Sequence, residues 1–448
     1  MRKLIDTIKN IWKIEELRQR ILFTLLMILI YRFGSFIVLP GINPNALTNL
    51  QESSKEGLLG LLNMFSGGAF GNASVFALGI MPYITASIIV QLLGMVIPYF
   101  QRLQREGESG RKKMNQIMRY LTVAIVAVQA PGYVYNLKAQ AGGAFLEAEW
   151  LIMLSSTLIL IAGTLFIMWL GERITDKGIG NGISLIIMIG IIARLPSAFA
   201  TEVAARFTDN GAGMLMLVIE LIVLFFVMAG TIALVHGTRK IPVQYAKRVV
   251  GNRQYGGVRQ YIPLKINAAG VMPIIFAQAI MFLPITFATY SGNVGSERLQ
   301  NMSGFLRAFT DYNGFWYNFV FFILIILFTY FYTAVTINTN QMAEDIKKNG
   351  GFIPGVKPGK KTAEYLDSVM SKITLPGSIF LAIVAIMPAL VGLLGVKNQF
   401  AHFYGGTSLL ILVGVVLDTL QQIESHLLMR HYDGLTKSGR IKGRVGRM

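Results

Sequence analysis

The sequence runs to 448 residues, 53% of them hydrophobic and only 14% charged, with a mean hydropathy of +0.54. That balance excludes an ordinary soluble enzyme and reads as a polytopic membrane protein. A formal net charge of +18 suits attraction to anionic partners, and the absence of cysteine excludes disulfides and cysteine-ligated metals.

Residues 1–20 form a charged segment, amphipathic over Asp6–Arg20, expected on the cytoplasmic side. A full-length crossing follows with no small-residue cleavage site, so this N-terminus is expected to be retained. Apolar runs of roughly 18–24 residues, long enough to cross about 30 Å of hydrocarbon, then recur along the chain. In the N-terminal half (21–199) they are Ile21–Val38, Ser74–Ile97, Ile117–Val134, Trp150–Leu170 and Gly182–Phe199. The C-terminal half (200–426) supplies Gly213–Val235, Ala268–Ala288, Trp316–Val335, Ile373–Leu394 and Gly406–Ile423. Ten helices, five per half, make an all-α membrane protein, with basic loops at 237–267 and 339–372 and a basic tail at 427–448. Leu58–Phe70 is too short to span and is crowded by Gly57, Gly60, Gly67, Gly68 and Gly71. It reads either as a half-inserted segment lying against protein or as an external loop helix.

Charge sets the orientation. Of the 41 lysines and arginines, 33 fall in the N-terminal tail, alternate loops and the C-terminal tail. The positive-inside rule places those segments and both termini in the cytoplasm. Gly237–Asn267 carries seven cations (Arg239, Lys240, Lys247, Arg248, Arg253, Arg259, Lys265), no acid, and interleaved Tyr245, Tyr255 and Tyr261. Topology retention accounts for part of that charge; a docking surface for acidic protein, RNA phosphate or anionic lipid accounts for the rest.

Enzyme chemistry finds little footing. His236, His402, His426 and His431 lack metal-ligand spacing, and no phosphate-binding loop or nucleophile elbow occurs. The glycine-rich run Gly178–Gly182 lies between two membrane helices and reads as a turn, since a dinucleotide site needs a soluble βαβ unit. Arg32, Glu220 and Asp418 are ionisable residues within spans. They sit on three separate helices, which favours structural or partner roles over ion coupling.

One pattern occurs twice. Gly79-Ile80-Met81-Pro82 interrupts the second run and Gly270-Val271-Met272-Pro273 interrupts the seventh. Matched Gly/Pro breaks in the two halves point to a substrate path between inverted repeats; two unrelated kinks are the alternative.

Longer motifs carry a family resemblance. Asn63-Met64-Phe65-Ser66-Gly67-Gly68-Ala69, continuing through Phe76-Ala77-Leu78-Gly79-Ile80-Met81-Pro82-Tyr83-Ile84 to Gln91-Leu92, resembles the signature of the SecY family, the SecY/Sec61-alpha protein-conducting channels. Trp169-Leu170-Gly171-Glu172-Arg173-Ile174-Thr175, with Gly178-Ile179-Gly180-Asn181-Gly182, resembles its second signature. Asn267 with Ala269-Gly270-Val271, Phe352-Ile353-Pro354-Gly355, Gly405-Gly406-Thr407-Ser408-Leu409-Leu410 and Leu427–Tyr432 also match, in order along the whole chain.

The resemblance implies a clamshell of two inverted five-helix halves around an hourglass pore. Its function would be to translocate unfolded secretory polypeptides and to release hydrophobic segments sideways into the plasma membrane. By motif, the pore ring would be Ile80, Ile84, Ile183, Ile187, Ile275 and Ile411. The plug would be 58–72, with Leu58, Leu61, Leu62, Asn63, Met64, Phe65, Ser66, Gly67 and Gly68, its glycines allowing movement. The lateral gate would lie at the second and seventh helices, flanked by the third and eighth, with Gln91, Asn267, Gln278 and Thr333 as polar gate residues. Arg239, Lys240, Lys247, Arg248, Arg253, Lys357 and Lys360 would dock the ribosome or the SecA ATPase motor. Lys357 stands where the family pattern has arginine, keeping charge but not the planar fork. SecE-like and SecG-like small subunits, signal sequences, unfolded preproteins and anionic lipids complete the implied partners, with no cofactor and no enzymatic activity. The alternative from another class, an inverted-repeat solute carrier, would need convergent polar groups at mid-membrane, where this chain offers an aliphatic waist.

Overall fold

Apolar chain without access to water satisfies its backbone polar groups most simply as helix, and the structure, a computed structural model, is built that way. It describes residues 12, 14–44, 47, 60, 63–140, 149–208, 213–245, 248–250, 253–255, 259–278, 280–281 and 314–438. In chain order the helices of the first half are α1 (Glu15–Gly34), α2 (Met81–Val96), α3 (Pro98–Arg105), α4 (Glu108–Gln140), α5 (Glu149–Lys177) and α6 (Gly182–Thr208). α7 (Gly213–His236) opens the second half. It is followed by strands β1 (Thr238–Tyr245), β2 (Arg248–Val250), β3 (Arg253–Tyr255) and β4 (Arg259–Lys265) and by a helical stretch at 272–278. The remainder comprises α8 (Phe315–Thr336), α9 (Thr339–Lys348), β5 (Gly351–Phe352), α10 (Lys360–Leu393), α11 (Asn398–Ala401) and α12 (Gly406–Ser438).

Among the described residues, α4, α5, α6, α7, α8, α10 and α12 are long and apolar enough to cross a membrane. α2 and α3, bent by 103° at Ile97-Pro98, form an eighth candidate as a pair. α1 and the stretch beginning at 272 occupy the first and seventh expected positions. Large apolar side chains such as Leu25, Leu29, Phe33, Leu215, Phe225 and Phe226 are exposed along these helices, as a lipid-facing surface requires.

Two helix starts differ from the sequence reading in the same way. The span expected from Ser74 begins at Met81, after turns over 71–80, and Ser74 instead bridges Val38. The span expected from Ala268 becomes helical only at 272. Gly79 (φ +56°) and Gly270 (φ +63°) take the left-handed conformation two residues before each start, and Pro82 and Pro273 follow one residue inside it. Proline lacks the N–H that a first turn leaves unpaired, and its fixed φ suits that position. These motifs therefore start helices rather than break them.

The two basic loops also fold differently from expectation. β1 pairs antiparallel with β4, from Thr238↔Lys265 to Gln244↔Arg259, and with β5 through Gln244↔Phe352 and Tyr245↔Gly351. β2 and β3 form a second small hairpin. Ile241, Val243, Leu264, Ile346, Ile353, Leu366 and Met370 make a shared core, so 237–267 and 339–372 are one small α+β unit. Period-two alternation in β1 (Ile241 and Val243 inward, Lys240 and Gln244 outward) explains the sheet. The all-α fold thus carries a β cap at its basic end.

Three apolar clusters fill the helical part. One joins α4 and α5 to Leu39, Ile42, Leu47, Phe70 and Ala77; another joins α7, α8, α10, α12 and Ile274. A third lies between them and draws on both halves: Tyr31, Met64, Phe65, Ile80, Ile187 and Ile191 pack with Val396, Phe400, Tyr404, Ile411 and Val415.

Candidate pore, plug and gate

The central cluster contains most of the expected ring. Ile80, Ile187 and Ile411 are buried in it, and Ile84 and Ile183 pack against it. Ile275, on the 272–278 helix, is half-buried and lies outside it, while Val271, in the turn just before that helix, packs against it. Ile183 and Ile187 are aimed by the glycine-rich turn before α6. Asn181 caps the helix, its Oδ1 accepting from the N–H groups of Ile183 (3.1 Å) and Ser184 (3.3 Å). The turn is tied to α1 by Ile179 N–H donating to Thr24 Oγ1 (3.1 Å), and to α12 by Gly180 N–H donating to Gln422 Oε1 (2.8 Å).

Above the ring, 63–70 folds into a short helical turn and a glycine turn. Asn63, Met64, Phe65 and Ser66 are all buried; Leu58, Leu61 and Leu62 lie outside the described residues. The segment closes on itself: Ser66 Oγ donates to Asn63 O (3.1 Å), and Gly71 N–H donates to Asn63 Oδ1 (2.9 Å). Three side chains of neighbouring helices then donate to its carbonyls. These are Tyr31 Oη to Ser66 O (3.2 Å), Arg32 Nη1 to Gly67 O (2.9 Å) and Tyr133 Oη to Phe70 O (2.7 Å).

Gly67 (φ +65°) and Gly68 (φ +96°) have work other than mobility. A Cβ on Gly67 would lie 2.9 Å from the Gly190 Cα of α6, and one on Gly190 would lie 2.9 Å from Phe65 O. Two backbones touch there, and only glycine allows it. A Cβ on Gly68 would meet the Arg194 guanidinium at 2.9 Å. Arg194 is a further in-span charge that the sequence reading misses, although it sits plainly in the apolar run of α6. Tyr31 and Tyr133 carry no sequence signal at all. Of the charges expected within spans, Arg32 faces the glycine turn, Glu220 is ion-paired with Arg206, and Asp418 is exposed.

The expected gate residues lie on α2 (Gln91), in the turn after β4 (Asn267), on the 272–278 stretch (Gln278) and on α8 (Thr333), and no hydrogen bond joins any two of them among the described residues. Gln91 Nε2 donates within α2 to Ser87 Oγ (3.2 Å), and Gln278 Nε2 donates to Thr407 Oγ1 of α12 (3.4 Å). Among the described residues Asn267 Oδ1 is buried without a partner, and Thr333 is buried on α8. A cavity of about 490 Å³, lined by Gln91, Gly94, Gln101, Gln104, Tyr332, Val335 and Thr336, separates α2 from α8 at the basic end.

Of the expected docking cations, Arg239, Lys240, Lys357 and Lys360 are exposed around the β cap. Arg248 and Arg253 pair through their backbones to Tyr255 and Val250, and Lys247 lies outside the described residues.

The SecY family profile matches residues 74–420. The protein translocase subunit SecY of Halalkalibacterium halodurans is 43% identical over 439 residues, covering 97% of this chain and all of that one. The chain belongs to the SecY family. The SecY proteins of Chlamydia trachomatis (41% identical, covering 98% of this chain and 99% of that one) and Aquifex aeolicus (42%, covering 95% and 98%) agree. In fold the chain is similar to a solved protein-conducting channel (TM-score 0.57, 18% identity, 95% of each chain) and to Sec61 in a canine ribosome–channel complex (TM-score 0.53, 16% identity, 95% of each). A SecY-family chain with these apolar helices is a multi-pass membrane protein of ten-helix clamshell architecture.

Proposed function

We propose that this chain is the channel subunit through which unfolded secretory polypeptides cross the bacterial plasma membrane. The observation that carries the reading is the buried glycine turn at 63–70, hydrogen-bonded to α1 and α4, seated on an aliphatic cluster built from both halves. Branched apolar side chains offer water and ions no partners, so the ring dewets and seals when empty. They also yield around a passing chain without binding it tightly. The plug closes what the ring leaves open. The basic end faces the cytoplasm, with both termini on that side, following the positive-inside rule.

The β cap is the docking face for an ATPase motor of the SecA type and for the ribosome, and its cations also meet anionic lipid heads. Lys357 projects from the exposed turn between β5 and α10. Lys357→Glu reverses that charge, and motor-driven export in reconstituted vesicles should fall several-fold while the complex assembles normally. Wild-type export rates would remove Lys357 from this role. A SecE-like small subunit clamps the back of the clamshell, and a SecG-like subunit accompanies it.

Hydrophobic segments leave sideways between α2 and the 272–281 stretch, beside α4 and α8. Among the described residues Gln91 and Asn267 are not paired across that seam, so they tune its polarity rather than bolt it. Replacing both with leucine makes the seam a better solvent for an apolar segment, by about 1–2 kcal/mol per buried side chain. A signal sequence weakened by one leucine should then export as well as the intact one does with the unsubstituted channel. An unchanged hydrophobicity threshold would contradict this.

Translocation by vesicles containing this chain with its small subunits and a motor tests the whole reading. ATP-dependent protection of a precursor from external protease supports it. Uptake of a small solute without precursor protection supports a carrier instead.

A further inference from the structure

Where α6 ends and α7 begins, at the end opposite the β cap, the protein buries three charges. Side-chain exposures are 1% for Glu202, 12% for Arg206 and 4% for Glu220. Arg206 Nε lies 3.0 Å from Glu202 Oε1, and its Nη2 pairs with Glu220 Oε1. The same Nη2 donates to Gly395 O (3.1 Å), and Glu202 Oε2 accepts the Lys397 backbone N–H (2.9 Å). One guanidinium and one carboxylate of α6 therefore grip the backbone of the turn after α10, and α7 contributes a second carboxylate to the grip.

The gripped segment, 395–404, belongs to the C-terminal half by sequence but packs with the N-terminal half. Val396, Phe400, Ala401, Phe403 and Tyr404 share the central cluster with Met64, Phe65 and Ile187. Phe400 rests on Phe199 of α6 (5.8 Å between ring centroids) and meets Tyr404 edge-on (5.4 Å). Gln399, His402 and Phe403 line a small cavity together with Asn63, Met64, Arg194 and Ser197. Burial pushes the His402 imidazole down to about 4, so it sits there neutral. Segment 395–404 is thus the wall behind the 63–70 turn.

Apolar contacts hold this wall near the cluster without fixing its exact seat. Buried ion groups add little net stability, because desolvation offsets their attraction, but breaking one leaves an uncompensated charge. Their use here is to fix position.

We propose that Glu202, Arg206 and Glu220 are positioning residues for the seal: they clasp 395–404 against α6 and so hold the wall that keeps the plug seated. This rests on the reading of 63–70 as the plug. The clasp acts from the wall side, independently of the α1 and α4 donors that hold the plug from the other side. Arg206 Nη2 donates to both Glu220 and Gly395 O while its Nε side lies against Glu202, a planar spread of contacts that a lysine ammonium cannot reproduce.

The native chain has no cysteine, so single probes can be read cleanly. Met64→Cys reports on the plug, and Ser156→Cys, nearly isosteric at a buried site on α5, reports on general loosening. Each is labelled in vesicles by a membrane-impermeant maleimide presented to the face opposite the β cap. The plug thiol of Met64→Cys should react slowly in the otherwise unsubstituted complex and on the order of tenfold faster with Arg206→Gln. Arg206→Lys should fall between, and the control thiol of Ser156→Cys should stay protected throughout. Should Arg206→Gln fail to accumulate, Glu220→Gln, which keeps volume and removes one charge, should give the same acceleration. An unchanged rate at the plug thiol overturns the proposal, and so does equal acceleration at the plug and control thiols. Fast labelling of the plug thiol without any clasp substitution would instead overturn the plug reading itself.

Discussion

Arg32→Leu is expected to make the resting channel leak. Arg32 is the single charge in the apolar body of α1, and its Nη1 donates to Gly67 O at 2.9 Å, at the tip of the glycine turn. Among the described residues no acid forms an ion pair with it, so the carbonyl is its one directed partner besides the Phe36 ring at 5.1 Å. A hydrogen bond from a charged donor contributes about 1.5–3 kcal/mol, and the leucine variant also strands a buried carbonyl. The plug's seated population should fall by roughly ten- to a hundredfold, at 1.4 kcal/mol per factor of ten. Anion flux through vesicles measures it, and export of a precursor with a defective signal should rise in parallel. Tyr133→Phe removes only a neutral donor, keeping the edge-on contact with Phe70 at 4.9 Å, and should raise the leak by a smaller factor. A tight channel in both variants would mean the seal does not depend on these donors.

Gly190→Ala should have a comparable effect from the opposite side. The added methyl would lie 2.9 Å from Phe65 O and 3.2 Å from Gly67 N, both backbone atoms that cannot rotate away. Overpacking of this kind costs about 1–3 kcal/mol. α6 is anchored by its cap and by the turn to α12, so the 63–70 turn is the side that gives. The expected result is a leaky channel with normal assembly and a precursor export rate close to wild type. A closed channel of unchanged tightness would show that the plug backbone does not rest on Gly190.

Much of the membrane architecture was legible because hydropathy over eighteen or more residues has few readings. Helix starts at 81 and 272 were not, since the glycine and proline that set them look alike whether they begin a helix or kink one. The β cap was hidden by its charges: Arg239, Lys240 and Lys265 read as a solvated loop, while the inward pair Ile241 and Val243 is too short to stand out. The candidate ring isoleucines could be named only through motif resemblance, because i,i+4 aliphatic pairs are ordinary packing. Hydrogen bonds from Tyr31 and Tyr133 to carbonyls of the 63–70 turn, and the Glu202–Arg206–Glu220 group, depend on which helices become neighbours. No local pattern encodes that.

The central claim is that polypeptide passes through the aliphatic ring. A cysteine in place of Ile84, in a chain otherwise free of cysteine, tests it with a secretory precursor stalled part-way and carrying one cysteine. A disulfide between the two that forms only with the engaged precursor is the predicted result, with the same outcome for a cysteine in place of Ile411. Absence of any crosslink at either position while export proceeds would contradict it.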